Sequence, residues 1–162
     1  MHARRLMMFG VVLAVCVFAA AAQGSHYKSG GTFRLGTSSR IDSLNPFVAF
    51  NQDAYSTFEY IYPELIQYDK ANRNFAPDFA TSWKASNGGK TWTFKTRSGA
   101  VWSDGQPLTA ADAAWTINTA VKYKGGATAN SAGLIAHITR ADAPTPTTLV
   151  VHYAAALGNV LG

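Results

Sequence analysis

Few residues in this 162-residue sequence have the types and spacing that catalysis requires. Beyond the N-terminal segment the histidines are His26, His137 and His152, and none has a catalytic partner or a second metal ligand at a motif spacing. The sequence holds a single cysteine and has neither a Gly-x-Ser-x-Gly element nor a phosphate-binding glycine loop. We therefore expect a protein that is not an enzyme and that carries no metal ion and no cofactor.

Two aspartates, Asp104 and Asp112, could be posed as an acid–base pair. Asp104 lies in a Ser-Asp-Gly turn sequence, where its side chain would accept backbone N–H groups. Asp112 follows Thr109 by three residues, which is the spacing of a capping box at a helix N-terminus. We expect both carboxylates to be structural, and this leaves no convincing pair of acids for a glycosidase.

The four tryptophans allow two interpretations. As a stacking surface they would bind sugars or peptide side chains, whereas as core residues they would supply the largest buried areas of the domain. Their spacing along strand-like and helix-like segments favours the core. We expect all four to be core residues: Trp83, Trp92, Trp102 and Trp115.

The N-terminus has the three parts of a secretory signal peptide. Arg4 and Arg5 precede an uncharged apolar run over residues 6–22, and Ala20 and Ala22 satisfy the Ala-x-Ala rule for cleavage. At about 1.5 Å per residue the run is shorter than the roughly 30 Å of a membrane core, which disfavours a membrane anchor. We predict that residues 1–22 are a signal peptide, cleaved after Ala22, and that the protein is exported.

The only cysteine, Cys16, lies inside this apolar run. A cleaved chain would therefore have no disulfide and would depend on its hydrophobic core for stability. Cys16 is also a candidate lipidation site, because Leu13 and Ala14 match a bacterial lipobox while Val15 stands where a small residue is needed. An ordinary apolar-run cysteine and a lipid anchor both stay open.

Charge excludes one class of partner. Removal of Arg4 and Arg5 would lower the formal net charge from +5 to +3, with 12 basic and 9 acidic residues left. These charges are scattered along the chain and form no basic run or stripe. We expect no binding to nucleic acid.

Residue patterning predicts a mixed α/β (α+β) fold of six strands and three helical stretches. Residues 23–31 indicate a flexible leader, and residues 32–162 a single domain that the apolar end of the chain leaves C-terminally incomplete. Ser86-Asn87-Gly88-Gly89 is a strong hairpin signal. Strands are predicted, among others, at 32–36, 65–68, 91–97, 136–141 and 148–153. Helices are predicted at 53–62 and 109–123, with a helix-like start at 154–162.

Residues 76–113 resemble the signature of the family 5 extracellular solute-binding proteins, the oligopeptide- and dipeptide-binding group that serves ABC importers. The matching segments are P-D-F-A-T-S-W at 77–83, G-K-T-W-T-F-K at 89–95 and V-W-S-D-G-Q-P-L-T-A-A-D at 101–112. Upstream, D-S-L-N-P at 42–46 and I-Y-P-E-L at 61–65 also fit the family pattern. Thr81, Thr96 and Pro63 depart from it without removing a turn or an aromatic residue.

The resemblance implies the N-terminal part of lobe I of a two-lobed, class C periplasmic-binding-protein fold, here truncated. It implies capture of a peptide in the periplasm or on the outer face of the cytoplasmic membrane, by a monomer that delivers it to ABC permease subunits. One ligand-contacting stretch of the family corresponds to residues 47–52, and we expect Phe50, Asn51 and Gln52 to contact the ligand. Alternatives within the family are a nickel chelate, an oligosaccharide or an opine. An alternative outside it is a secreted carbohydrate-active enzyme.

Overall fold

The computed structural model describes residues 30–32, 34–126, 128 and 131–156. The predicted signal peptide, Cys16, His26 and most of the predicted leader lie outside these residues. The chain divides into two units, residues 1–35 and 36–162. In the first unit, the few described residues form neither helix nor strand.

The predicted strand at 32–36 is wrong for the residues that the structure describes. Residues 32 and 34–36 carry no strand, and the Leu35 side chain is 59% exposed. Alternating polarity supplies a strand with an apolar face, but a strand also needs a neighbour for its backbone hydrogen bonds. The described strands, all in residues 66–153, pair with one another.

The second unit begins with a loop that leads into helix α1, Gln52–Ile61. The helix was predicted at 53–62, and Asp53 lies in its first turn, where an acidic side chain suits the helix dipole. It ends at Tyr62, which is extended with φ −111° and ψ 137°. The cause is Pro63, whose ring disfavours the helical region for the residue before it.

Strands β1 (Ile66–Asp69) and β2 (Asn74–Pro77) form a two-stranded antiparallel sheet. The connecting turn is held by Asp69, whose carboxylate accepts the N–H groups of Ala71 and Asn72. β1 was predicted one residue early, and β2 was not predicted because the residue pattern over 75–83 is mixed and Pro77 disfavours only a helix there. Pro77, the last residue of β2, is tolerated because both strands of a two-stranded sheet are edge strands.

The second sheet has four antiparallel strands: β3 (Ala80–Ser86), β4 (Thr91–Thr96), β5 (Ile138–Thr145) and β6 (Thr148–Tyr153). Their order is β3-β4-β6-β5. The predicted hairpin joins β3 to β4, and Asn87 and Gly88 adopt φ of 51° and 61° in its turn. Asn and Gly tolerate positive φ best, which explains the strength of that sequence signal.

Helix α2, Ala110–Lys122, lies against β5 and β6. The predicted capping box is present, since the Thr109 N–H donates to the Asp112 carboxylate at 2.7 Å and the Ala111 N–H donates to the Thr109 hydroxyl. The core that it covers lies between the helix and the sheet. Its buried members are Ala80, Phe94, Ala110, Ala114, Ala141, Leu149 and Val151.

Strand β5 is longer than the predicted 136–141 and continues through Pro144 to Thr145. A proline is tolerated there because β5 is an edge strand and its register with β6 shifts between Asp142 and Thr145. The turn to β6 is therefore shorter than predicted. Of the helix-like start predicted at 154–162, residues 154–156 are described and are not helical, and the rest lies outside the described residues.

Candidate functional site

The loop over residues 39–51, which we call the entry loop, is shaped by its own short polar side chains. The Ser43 hydroxyl accepts the Asn45 N–H at 3.0 Å, and the Asn45 side-chain oxygen accepts the Phe47 N–H at 3.0 Å. The Asn45 carbonyl then accepts the N–H groups of Val48 and Ala49. These are the local side-chain turns that Asp, Ser and Asn favour, and residue types such as those of D-S-L-N-P at 42–46 are typical of a turn.

Asp42 ties the beginning of the entry loop to its end. One oxygen of its carboxylate accepts the Phe50 N–H at 2.8 Å, and the other accepts the Asn51 N–H at 3.3 Å. The Phe50 N–H is the main reason that the pKa of Asp42 lies below its ordinary value. The ionised carboxylate is therefore the form that fits this loop.

Two further contacts connect the loop to the start of α1. The side-chain amide of Asn51, the N-cap residue, donates to the Arg40 carbonyl at 3.0 Å. The Asp53 carboxylate accepts both the N–H and the hydroxyl of Ser39, each at 2.6 Å. Loop and helix thus share one hydrogen-bond network.

Beneath the network lies a small apolar cluster of Ala49, Ala54 and Phe58, which are 0%, 0% and 8% exposed. The Tyr55 hydroxyl donates to the Ala49 carbonyl at 3.0 Å. Farther along α1, the Tyr62 hydroxyl donates to the Leu44 carbonyl at 3.2 Å. The entry loop is therefore packed against α1 as well as hydrogen-bonded to it.

The three predicted contact residues occupy consecutive but different environments. The Phe50 side chain is 74% exposed, Asn51 is half-buried with its amide bonded to the loop, and Gln52 is exposed at the first position of α1. The geometry leaves Phe50 and Gln52 accessible to a ligand and gives Asn51 a role in holding the loop. Ligand contact by the three residues stays a prediction.

An aromatic pair connects the entry loop to α2. The Phe47 and Trp115 rings meet edge to face, with centroids 6.2 Å apart and planes at 72°. Trp115 is 64% exposed, so the expectation that it is a core residue is wrong. The reason is its place on the helix, because Ala110 and Ala114 face the core and the following position is turned away from it. Trp83 and Trp92 do pack against the core cluster.

The two aspartates considered for catalysis have the expected structural roles. Asp104 accepts the Gln106 N–H at 2.9 Å inside its turn, and Asp112 completes the capping box of α2. A polar cluster not foreseen from the sequence lies on β5 and β6, where the Asp142 carboxylate is 2.9 Å from both Arg140 Nε and His152 Nε2. His137 is exposed. Among the described residues no group of three or more His, Cys, Asp or Glu side chains could hold a metal ion.

Two of the open clefts in the described part of the chain lie near α1 and beside the main core, and neither of these two includes the predicted contact residues. One, of about 250 Å³, is lined by Tyr55, Phe58, Glu59, Tyr62, Pro63 and Glu64. The other, of about 240 Å³, is lined by Leu65, Ile66, Phe94, Ile117, Ile138, Val151 and Tyr153. Burial beside the second cleft raises the pKa of Tyr153.

No helix within the described ranges is both long and apolar enough to cross a membrane.

Comparison with known proteins gives relatives that are much longer than this chain. A probable D,D-dipeptide-binding periplasmic protein of Escherichia coli, DdpA, is 34% identical over 80 residues, which are 47% of this chain and 16% of the relative. The structure of the E. coli murein tripeptide binding protein MppA matches with a TM-score of 0.64 and 22% identity, over 73% of this chain and 26% of that one. NikA from Brucella suis, solved in complex with Fe(III)-EDTA, matches with a TM-score of 0.62 and 24% identity, over 70% and 22%.

The two structural matches establish the fold as the one that these binding proteins share, of which this chain covers a part. The family model is the more specific finding. It describes bacterial extracellular solute-binding proteins, family 5 Middle, and matches residues 74–161, which is 88 of the 162 residues. The chain belongs to this family of bacterial extracellular solute-binding proteins.

Proposed function

We propose that the chain acts in the solute-binding component of an ABC importer and that the solute is a peptide. The observation that carries this proposal is the family match over residues 74–161. The name of the E. coli relative, a D,D-dipeptide-binding protein, supports a peptide as the solute. Family 5 proteins are transport binding proteins, which agrees with the sparse catalytic residues.

The entry loop is the part of this chain that would meet the peptide. Its hydrogen bonds to Asp42 and its packing on α1 fix the backbone before a ligand arrives, which lowers the entropy cost of binding. Phe50 and Gln52 stand accessible on that backbone. Phe50, Asn51 and Gln52 therefore form the proposed contact stretch, with Asn51 acting mainly through its bond to Arg40.

The proposed site of action is extracytoplasmic. Residues 1–22 act as the signal peptide, and residues 23–31 as a leader between it and the domain. The protein is then free in a periplasm or tethered through a lipid on Cys16. It works as a monomer, and its macromolecular partners are the permease subunits in the cytoplasmic membrane.

A metal chelate is the second candidate solute. The observation that favours it is the structural match to NikA, which was solved with Fe(III)-EDTA. A chelate brings its own metal ligands, so a binding site for it needs no cluster of metal-ligating side chains. Opines and oligosaccharides stay in the panel of solutes to be tested.

A secreted carbohydrate-active enzyme receives less support. Its acid pair would be Asp104 and Asp112, and both carboxylates are occupied by backbone N–H groups. Its sugar platform would be the tryptophans, of which Trp83 and Trp92 pack against the core.

Calorimetry on the protein expressed from its natural gene tests the proposal. The panel contains di- and tripeptides, nickel and iron chelates, an opine and cello-oligosaccharides. We expect saturable binding of peptides without turnover, and peptide hydrolysis without saturable binding would refute the proposal.

Sequencing the DNA downstream of codon 162 tests it independently, because genes for a permease and an ATPase are expected there. Export is tested by N-terminal sequencing of the secreted protein, and lipidation by comparing membrane association of wild type and Cys16→Ser.

A further inference from the structure

We propose that Asp42 sets the ligand preference of the entry loop: it occupies the N–H groups of Phe50 and Asn51, so the loop recognises an apolar ligand side chain through the Phe50 ring and disfavours a ligand carboxylate. This inference rests on the proposed function and names the class of group that the same site accepts. Its parts are the backbone donors, the local charge and the exposed ring.

The backbone N–H groups of Phe50 and Asn51 are engaged within the loop itself. Peptide ligands that bind in an extended, strand-like manner use free N–H and C=O groups of the protein. In the entry loop the Phe50 and Asn51 N–H groups both donate to Asp42, at 2.8 and 3.3 Å. The Asn51 carbonyl accepts the N–H groups of Ala54 and Tyr55. A ligand carbonyl or carboxylate that approaches Phe50 and Asn51 therefore finds their two backbone donors already used.

Charge acts in the same direction. The carboxylates of Asp42 and Asp53 both accept N–H groups of the loop: Asp42 accepts that of Phe50, and Asp53, in the first turn of α1, accepts that of Ser39. Asp42 is ionised at neutral pH, and the N–H of Phe50 lowers its pKa further below the ordinary value. An anionic group of a ligand would face these charges without a backbone donor to compensate, which selects against it.

The remaining contact is the Phe50 ring, which is 74% exposed although its neighbour Ala49 is fully buried. The bond from its N–H to Asp42 holds its backbone in place, so little backbone entropy is lost when a ligand covers the ring. Exposed aromatic residues on a rigid backbone are the usual anchors for apolar ligand groups. The ring, and not the backbone of Phe50, is therefore the recognition element.

The test is a titration of the protein expressed from its natural gene with tripeptides of alanine that carry one Phe or one Glu in turn at each position. At the position that reaches Phe50 we expect the Phe peptide to bind roughly tenfold or more tightly than the Glu peptide, the ratio given by about 1.4 kcal/mol. Phe50→Ala should remove most of this difference, whereas Phe50→Leu, which keeps a large apolar side chain, should keep it.

Asp42→Ala should raise the affinity for the Glu peptide relative to the Phe peptide, because it frees two donors and removes a charge. Asp42→Asn keeps one acceptor for the loop while it removes the charge and the second acceptor. It should therefore shift the preference in the same direction even if Asp42→Ala does not fold. The matched control is Asp69→Ala, since Asp69 accepts two backbone N–H groups in the β1–β2 turn. It should leave the preference unchanged.

The outcomes separate the two proposals. Peptide binding without a Phe-over-Glu preference at any position, or a preference that Phe50→Ala and Asp42→Asn leave intact, overturns the role of Asp42 and Phe50 and leaves the proposed function standing. An absence of binding by every peptide overturns the proposed function and this inference with it.

Discussion

The side chain of Asn118, on α2, forms a pair of hydrogen bonds with the backbone of Ala141, on β5. Its oxygen accepts the Ala141 N–H at 2.8 Å, and its amide nitrogen donates to the Ala141 carbonyl at 2.7 Å. Ala141 is 3% exposed, so both of its backbone groups depend on partners within the protein. One amide therefore fixes the helix against the edge strand of the sheet.

Replacing Asn118 should destabilise the domain. Asn118→Ala leaves two buried backbone groups without partners and is expected to cost about 1–3 kcal/mol of unfolding free energy. Asn118→Asp should also destabilise it, because a carboxylate cannot donate to the Ala141 carbonyl. Urea unfolding followed by tryptophan fluorescence measures the cost, and hydrogen exchange of the Ala141 amide localises it.

Gln67→Ala is the control for Asn118, since it removes an exposed amide from β1 and should change stability by less than about 0.5 kcal/mol. Equal effects of Asn118→Ala and Gln67→Ala would show that the bridge to Ala141 adds nothing to stability.

The N-terminus of α2 gives a second prediction. Thr109→Ala removes the hydroxyl that accepts the Ala111 N–H and should cost about 0.5–2 kcal/mol. Thr109→Ser keeps the hydroxyl and should lie close to wild type. The same urea titration compares the two, and a Thr109→Ser protein as unstable as Thr109→Ala would point to the lost methyl group instead of the cap.

Elements that depend on short sequence signals could be predicted, whereas pairing between distant segments could not. The hairpin at Asn87-Gly88 and the Thr109–Asp112 capping box are local devices, and both are present. The end of β5 was missed because tolerance of Pro144 depends on the strand lying at a sheet edge, which only the strand order shows. The strand predicted at 32–36 was wrong for the described residues, because alternating polar and apolar residues do not by themselves provide a neighbouring strand to pair with.

Asp42 gives a prediction of pH dependence. Its pKa is lowered in the folded protein, chiefly by the Phe50 N–H, so its hydrogen bonds stabilise the entry loop above the ordinary pKa of 3.8 and are lost as pH falls through the lowered value. Carboxyl NMR titration should place its midpoint below 3.8. Hydrogen exchange of the Phe50 amide should accelerate over the same pH range.

Asp42→Asn should abolish that acid-induced change at Phe50. Asp69 is an internal comparison, because its pKa is also lowered, first by the Asn72 side chain, and its titration should affect the β1–β2 turn alone. A midpoint for Asp42 at or above 3.8 would contradict the described hydrogen bonds to Phe50 and Asn51.

The candidate site was foreseen only in part. Asp42, Ser43, Asn45 and Pro46 predict a turn from their types, and the turn is present. That the N–H groups of Phe50 and Asn51 both donate to Asp42 could not be predicted. These bonds join residues eight and nine positions apart, and no local sequence pattern specifies the path of the loop between them. The exposure of Trp115 could have been derived, because it falls outside the helical series of Ala110, Ala114 and Ile117.

The core between α2 and the sheet gives the last prediction. Leu149 is fully buried at the second position of β6, where it pairs with Phe94 on β4. Leu149→Ala should therefore destabilise the domain by about 2–5 kcal/mol through lost burial and a residual cavity, while Leu149→Met should cost less than about 1.5 kcal/mol. Leu134→Ala makes the same truncation at a side chain that is 87% exposed and should change stability by less than about 0.5 kcal/mol. Urea unfolding of the three variants measures these differences, and a loss for Leu149→Ala no greater than for Leu134→Ala would mean that β6 does not pack against α2 as described.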